Sequence, residues 1–284
     1  MTDTEPLIRN LADTARWVAV YRAQESERPD AHFRDPFARR LAGERGEQIA
    51  RALPFAKQNA WSFVTRTVLV DRFITEQIEE GTDVVINLAA GLDARPYRMA
   101  LPAALPWVEV DLPEVLDYKE EILRGETPVC RLERVRLDLS DVAARQELFA
   151  RLGRSARKAL VVTEGLLVYL TAEEVGALAQ DLGAPPGIQR WIIDVASPGL
   201  LKLMNKRMGP ALKQAEAPLK FAPEEGPPFF ERFGWEPLAV RSLLHTAAGL
   251  KRLPFFLRLM ALLPEPKGPA GSRPWSAVCL LAKK

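Results

Sequence analysis

From residue 82 to residue 195 the chain switches between short apolar runs and stretches of helical period, and this alternation constrains the fold more than any other feature. Asp83–Leu88, Trp107–Val110, Arg134–Leu137, Ala159–Thr163 and Gln189–Val195 read as strands. Between them, Leu112–Leu123 has Pro113 near its start, Ser140–Leu152 is capped by Ser140 or Asp141, and Thr171–Leu182 opens with the capping box TAEE. These three stretches read as helices. Strand and helix in alternation predict right-handed crossovers and a parallel sheet covered on both faces, an α/β doubly wound fold. Further on, GWEPLAVRSL resumes strand character, a helix is expected over roughly Leu244–Leu263, and SRPWSAVCLLAKK closes as a last strand.

The first 81 residues read differently. LIRNLADTARWVAVYRAQESER repeats apolar residues at helical spacing through Leu7, Leu11, Ala15 and Val18. Asp35-Pro36 predicts a helix start running to about Ala50, and WSFVTRTVLVDRFITEQIEEG a long helix stopped by Gly81. The expected organisation is a helical N-terminal cap over 1–81 and a ligand-binding domain over 82–284. Residues 198–228, rich in Pro and Lys with weak periodicity, are expected to form a lid or substrate loop within it.

Charge and cysteine content exclude several classes. A net charge of +2 with acids and bases interspersed leaves no basic face for nucleic acid. Cys130 and Cys279 are too few for a disulfide framework and lack metal-ligand spacing, so no metal is expected and a cytoplasmic setting is the simplest. MTDTEPLIRNL does not read as a secretory signal. Leu253–Pro264, LPFFLRLMALLP, is too short to span a bilayer and contains Arg258; it reads as an amphipathic helix on the core, with no membrane partner.

Ligands of open α/β sheets sit beyond the carboxyl ends of the strands. Here the first four strands end in Gly91, Asp111, Asp138 and Glu164, one small residue and three carboxylates on the same rim. Asp111 follows Gly91 by twenty residues, the separation expected between a nucleotide-binding turn and a ribose-binding acid. The turn itself, in VVINLAAGLDARPYRM, has Ala89, Ala90, Leu92 and Asp93 around its single Gly91. A pyrophosphate needs several glycines and an open helix N-terminus, and Asp93 would repel it. An adenosine ligand that carries positive charge fits better, and S-adenosylmethionine is such a ligand.

RAQESERPDAHFRDPFA, RTVLVDRF, VVINLAAGLDARPYRM, VEVDLPEVLDYK, VRLDLSD and TEGLLVYLTAEE, taken in order, make the chain similar to the leucine carboxyl methyltransferase family and the bacterial S-adenosylmethionine-dependent methyltransferases grouped with it. The resemblance implies a class I methyltransferase, Rossmann-like sheet of seven strands with the last antiparallel. It also implies methyl transfer to oxygen, with the N-terminal helices shaping the substrate side. Matched position by position, Arg66 would pair with the methionine carboxylate and Gly91 would lie against the cofactor. Asp111 would hold the ribose hydroxyls, Asp138 and Leu139 would contact adenine, and Glu164 would lie near the amino group and sulfonium. The family usually has Gly-Ala-Gly where this chain has Ala89-Ala90-Gly91; the extra methyl could narrow the loop or forbid a positive φ.

Each of these residues also has a plainer reading. Arg66 could be a solvated partner of Asp71 and Glu76, Asp93 an N-cap, Asp111 the cap of the helix through Leu123, and Asp138 one of several caps in DLSD. Arg95 and Arg98 read as structural ion pairs, Tyr169 as packing, His32 and His245 as structural, and the Phe-rich FFERF and LPFFLRLM as core. No catalytic side chain is assigned. A carboxylate acceptor needs no general base, and in-line displacement needs mainly alignment. The expected activity is O-methylation of a carboxylate or hydroxyl on a small molecule, giving S-adenosylhomocysteine. The alternatives are a non-catalytic S-adenosylmethionine-binding protein, a methyltransferase of protein C-terminal carboxylates and, last, a nicotinamide-dependent dehydrogenase.

Overall fold

Seven strands make one sheet in the order β3-β2-β1-β4-β5-β7-β6. They are β1 (Val84–Leu88), β2 (Pro106–Asp111), β3 (Arg131–Arg136), β4 (Ala159–Thr163), β5 (Ile188–Ala196), β6 (Trp235–Ser242) and β7 (Ser276–Lys283). β1 to β5 pair in parallel, and β7 runs antiparallel to both neighbours, β5 and β6. This computed structural model describes residues 11–52, 58–214, 217–264 and 271–284, so Leu7 of the first predicted helix lies outside the described residues.

Why the strands are apolar on both sides follows from what covers them. Every residue of β1 and β4 is buried. Ile86, Leu88, Val108, Val110 and Val161 pack into one cluster, while Val85, Trp107, Leu160, Val162 and Ile192 pack into another. Alternate residues of a strand point to opposite faces, so the two clusters are the two sides of the sheet. Each fully buried large side chain among them contributes roughly 1.5–3 kcal/mol. The first cluster includes Leu148 and Leu152 of α6 (Val142–Ser155) and Leu178 and Leu182 of α7 (Ala172–Gly183). The second includes Leu69, Phe73 and Ile74 of α3 (Ala60–Glu79).

α1 (Leu11–Ser26) and α2 (Ala38–Ala52) carry a third cluster with Trp17, Val20, Tyr21 and Ile49. α2 begins two residues beyond Pro36 and bends at Gly43, where φ is +60°. Phe63 of α3 stacks on Tyr21 at 5.4 Å, which ties these helices to the long helix under the sheet. The caps follow the sequence. Asp141 accepts the Ala144 N–H at the start of α6, and Thr171 and Glu174 form the full capping box of α7.

Three expectations are corrected. After the AAGLD turn, where an N-cap at Asp93 implies a helix, comes α4 (Arg95–Arg98), which is a single turn. Of the expected loop 198–228, Pro198–Gln214 is a helix, α8; Leu200, Met204 and Met208 recur every fourth residue and supply its inward stripe. The helix expected over Leu244–Leu263 is two short ones, α9 (Leu243–Gly249) and α10 (Phe255–Met260). Lys251 at φ +55° breaks the helical run, and Leu253 precedes a proline, which disfavours helical backbone there. Consequently LPFFLRLM is core only at Leu253, which is buried, while Phe255 is 80% exposed and Leu259 68%. FFERF does pack inside through Phe229 and Phe230. α5 (Pro113–Ile122) completes the helices. No helix among the described residues is long and apolar enough to cross a membrane.

Candidate functional site

The strand order reverses between β1 and β4, and beyond their carboxyl ends lies a cleft of about 780 Å³. Arg66, Gly91, Asp111, Asp138, Leu139 and Glu164, chosen from the sequence, all line it. They arrive there because the parallel strands deliver their last residues to one rim, while α3 passes beneath and places Arg66 against that rim.

Asp111 ends β2 and is almost fully buried. Its Oδ2 accepts the Gly91 N–H at 2.6 Å and its Oδ1 the Leu112 N–H at 2.7 Å. Burial pushes its carboxyl up from the ordinary value, against the pull of those two amides and of Lys119. A carboxylate has about four acceptor positions, so about two remain for a ligand's hydroxyls. Glu109, two residues earlier on β2, is fully buried between Lys119 Nζ at 2.7 Å and Arg134 Nε at 3.0 Å; this clamps α5 to the strand that carries Asp111.

Four amides in and just after the β1 turn are paired within the protein. Ala90 N–H goes to the Val110 carbonyl, Gly91 N–H to Asp111, Asp93 N–H to the Ala90 carbonyl and Arg95 N–H to Asp93 Oδ1. Ala89 and Gly91 take φ of +50° and +49°, which folds the turn tightly enough for these bonds. Asp93 is not the N-cap of α4, a position held by Ala94. It is a buried strut between Asn87 Nδ2 at 2.8 Å and Arg95 Nη1 at 2.9 Å. Burial acts to raise its carboxyl, and the cations of Arg95, Lys119 and Arg98 overcome that and hold it well below the usual range.

Arg66 is not a solvated partner of Asp71 and Glu76. Its Nε donates to Glu164 at 3.0 Å and its Nη1 to Asp194 at 3.0 Å. Glu164 also meets Arg95 at 2.9 Å, and burial of its carboxyl is outweighed by Arg95 and Arg66, so its net shift is downward. Arg95 reaches on to Asp71 at 2.6 Å, Arg98 joins Asp71 to Asp35, and Arg22 pairs with Asp35. This continuous network therefore holds five carboxylates, Asp35, Asp71, Asp93, Glu164 and Asp194, against four guanidiniums, Arg22, Arg66, Arg95 and Arg98. Its one excess negative charge favours a cationic ligand.

Asp138 and Leu139 sit at the open end of the cleft. Asp138 is exposed, and its Oδ1 accepts the Ser140 N–H at 2.8 Å; Leu139 is half-buried, with its carbonyl held by Arg145. Asp194, unpredicted, is as well placed as any of the six. It holds both Arg66 and the Gly165 N–H, the latter at 2.7 Å. Its signal was the acid near the end of the fifth strand, in WIIDVA. Tyr169 lines the cleft, and burial raises its phenol. His32 bonds the Leu250 carbonyl at 2.8 Å, away from the cleft lining.

The sequence pattern of the leucine carboxyl methyltransferase family matches residues 15–183, more than half of the chain. The chain belongs to that family. A Streptomyces coelicolor protein provisionally named an S-adenosyl-L-methionine-dependent methyltransferase is 35% identical to this family member over 184 residues, 60% of this chain and 63% of its own length. The match thus spans less than two thirds of that relative. A Frankia alni protein with the same kind of name is 30% identical over 257 residues, 83% of this chain and 86% of its own. The crystal structure of a provisionally named methyltransferase from Thermobifida fusca YX shares the fold with a TM-score of 0.60 at 15% identity, covering 98% of this chain and 96% of that one. The fold of this leucine carboxyl methyltransferase family member is the class I, Rossmann-like one, with β7 as its antiparallel strand.

Proposed function

We propose that this family member is an S-adenosylmethionine-dependent methyltransferase that methylates an oxygen of a small-molecule acceptor by in-line displacement, without a metal ion. The observation that carries this reading is the turn after β1. Its Gly91 amide, which a dinucleotide site would turn toward a pyrophosphate, is bonded to Asp111, and the Ala90 and Asp93 amides are bonded to the Val110 and Ala90 carbonyls. A phosphate would meet the carboxylates of Asp93 and Asp111 there, whereas ribose hydroxyls find an acceptor in Asp111. The excess negative charge of the network suits an ammonium and a sulfonium.

In this reading Asp111 holds the ribose, Gly91 lies against the cofactor, Asp138 and Leu139 flank the adenine, Arg66 meets the methionine carboxylate and Glu164 lies near the positive groups. When bound, S-adenosylmethionine supplies a methyl group whose bond to sulfur breaks, both electrons staying on sulfur, as the bond to the acceptor oxygen forms. The chain's own part is to align the acceptor, exclude water and balance charge. Cys130 and Cys279 are free and buried, which suits the reducing cytoplasm in which we place the protein.

Calorimetric titration tests the binding half. S-Adenosylmethionine should bind, and Asp111→Ala should weaken binding by about 2–4 kcal/mol, since it removes hydrogen bonds to a charged acceptor. Unchanged affinity in a variant that still melts cooperatively would refute the ribose assignment. Transfer is tested by S-adenosylhomocysteine release with acceptor present; activity abolished by EDTA and restored by magnesium would refute the metal-free reading.

A further inference from the structure

The cleft has two chemically different walls. Its sheet side carries the charged network. Its cap side is built from three helix faces: Trp17 of α1, Phe63 of α3, and Leu200, Met204 and Met208 of α8, closed by Leu219. Residues four apart share one face of a helix, so the α8 triplet forms a continuous stripe along the cleft. Trp17 and Phe63 meet at 5.6 Å and are packed with the cap cluster, yet Phe63, Leu200 and Met204 stay half-buried while lining the cavity. Of the cations near this wall, Arg66, whose guanidinium lies 5.7 Å from the Phe63 ring centre, is tied to Glu164 and Asp194, Arg22 is tied to Asp35 and to the Leu92 carbonyl, and Lys220 is exposed. A charged or strongly polar body seated here would lose its hydration with little in return. An apolar body gains by burial, and methionines adapt to irregular shapes.

The reacting oxygen is constrained separately. Among the described residues that line the cleft there is no His and no Cys. Glu164 and Asp194 are tied to Arg66, the Glu164 carboxyl is held low, and burial keeps the Tyr169 phenol protonated. Of the other carboxylates in the cleft, Asp93 is tied to Asn87 and Arg95, Asp111 to the Gly91 and Leu112 amides, Asp138 to the Ser140 amide and Glu174 to the Thr171 amide. A neutral alcohol needs a base free to take its proton, whereas a carboxylic acid is ionised at neutral pH.

We infer that the acceptor is a small carboxylic acid with an apolar body, seated on the Trp17–Phe63–Met204–Met208 wall and methylated on its carboxylate. This rests on the proposed methyl transfer. The carboxylate oxygen gains the methyl, the donor's sulfur keeps the bonding pair, and the two opposite charges cancel with no proton released. A protein C-terminus is disfavoured, because its several backbone N–H and C=O groups need partners and the polar group this wall adds to its apolar surface is the Trp17 indole N–H, which has no hydrogen-bond partner among the described residues.

The test titrates the full chain, with and without S-adenosylhomocysteine, using decanoate, 3-(2-naphthyl)propionate, gluconate and a hexapeptide ending in leucine. The two apolar acids should bind, and with S-adenosylmethionine their methyl esters should appear by mass spectrometry. Failure of both acids to bind in either state, or equal binding of gluconate or the peptide, would overturn the inference. Apolar acids that bind while S-adenosylhomocysteine does not would refute the methyl-transfer reading and leave the wall assignment standing. Met204→Lys should weaken decanoate binding about tenfold or more by placing a charge on the wall, with S-adenosylhomocysteine affinity unchanged as the control for folding. Met208→Gln, a milder change, should act in the same direction. Unchanged decanoate affinity in both variants would overturn the assignment of the wall.

Discussion

Ala89 is where one residue departs most from what its position asks. At φ +50° it occupies left-handed backbone, which costs a residue with a side chain about 1–2 kcal/mol. The compensation is geometric: this turn and the one at Gly91 let the loop deliver its amide to Asp111. The methyl does not forbid the positive φ; the chain adopts it and carries the strain. Ala89→Gly should therefore stabilise the protein by about 0.5–1 kcal/mol, the relieved strain less the added freedom of the unfolded chain. Chemical denaturation would measure it, and a loss of stability would show that Ala89 is unstrained in solution. Such a residue is half legible beforehand. That a glycine usually stands there follows from the resemblance to the family, but what alanine does instead depends on the bonds the turn must make.

Ion pairs are what bind the elements of the site together. Glu164 at the end of β4 joins Arg66 of α3 to Arg95 of α4, and Asp194 adds β5. Removing one partner of a buried pair leaves the other uncompensated, so Glu164→Gln should cost about 3 kcal/mol near neutral pH. The sign with pH follows from the lowered carboxyl. Its stabilisation is complete above the ordinary value of about 4.5 and is lost as pH falls through the lower folded value. Urea unfolding of the two proteins should thus show a gap near pH 7 that narrows below about pH 4. A gap independent of pH would mean that Glu164 acts by shape alone. The pairing itself was invisible in the chain: Arg66 lies 98 residues from Glu164 and 128 from Asp194, beside nearer acids that it does not use.

For the whole molecule, the cleft is lined by both the sheet rim and the N-terminal helices, so a ligand filling it should hold the two together. S-Adenosylhomocysteine at about a hundred times its dissociation constant should stabilise the fold by about 2.7 kcal/mol, seen as a higher melting temperature, and NAD should leave it unmoved. The reverse pattern would sink the proposed cofactor.

Local pattern was enough to read the strands, the α7 capping box and the carboxylates at the strand ends. Strand period and cap chemistry are properties of neighbouring residues, and parallel connection sends every strand end to one rim. The six chosen residues share one cleft for that reason. Only the tertiary structure decided that Arg66 binds Asp194, that 198–214 is a helix with its methionines on the cleft, and that Phe255 and Leu259 face outward. An apolar stripe in sequence is the same whether it meets core, cavity or solvent. What it meets is set by the order in which distant strands join the sheet.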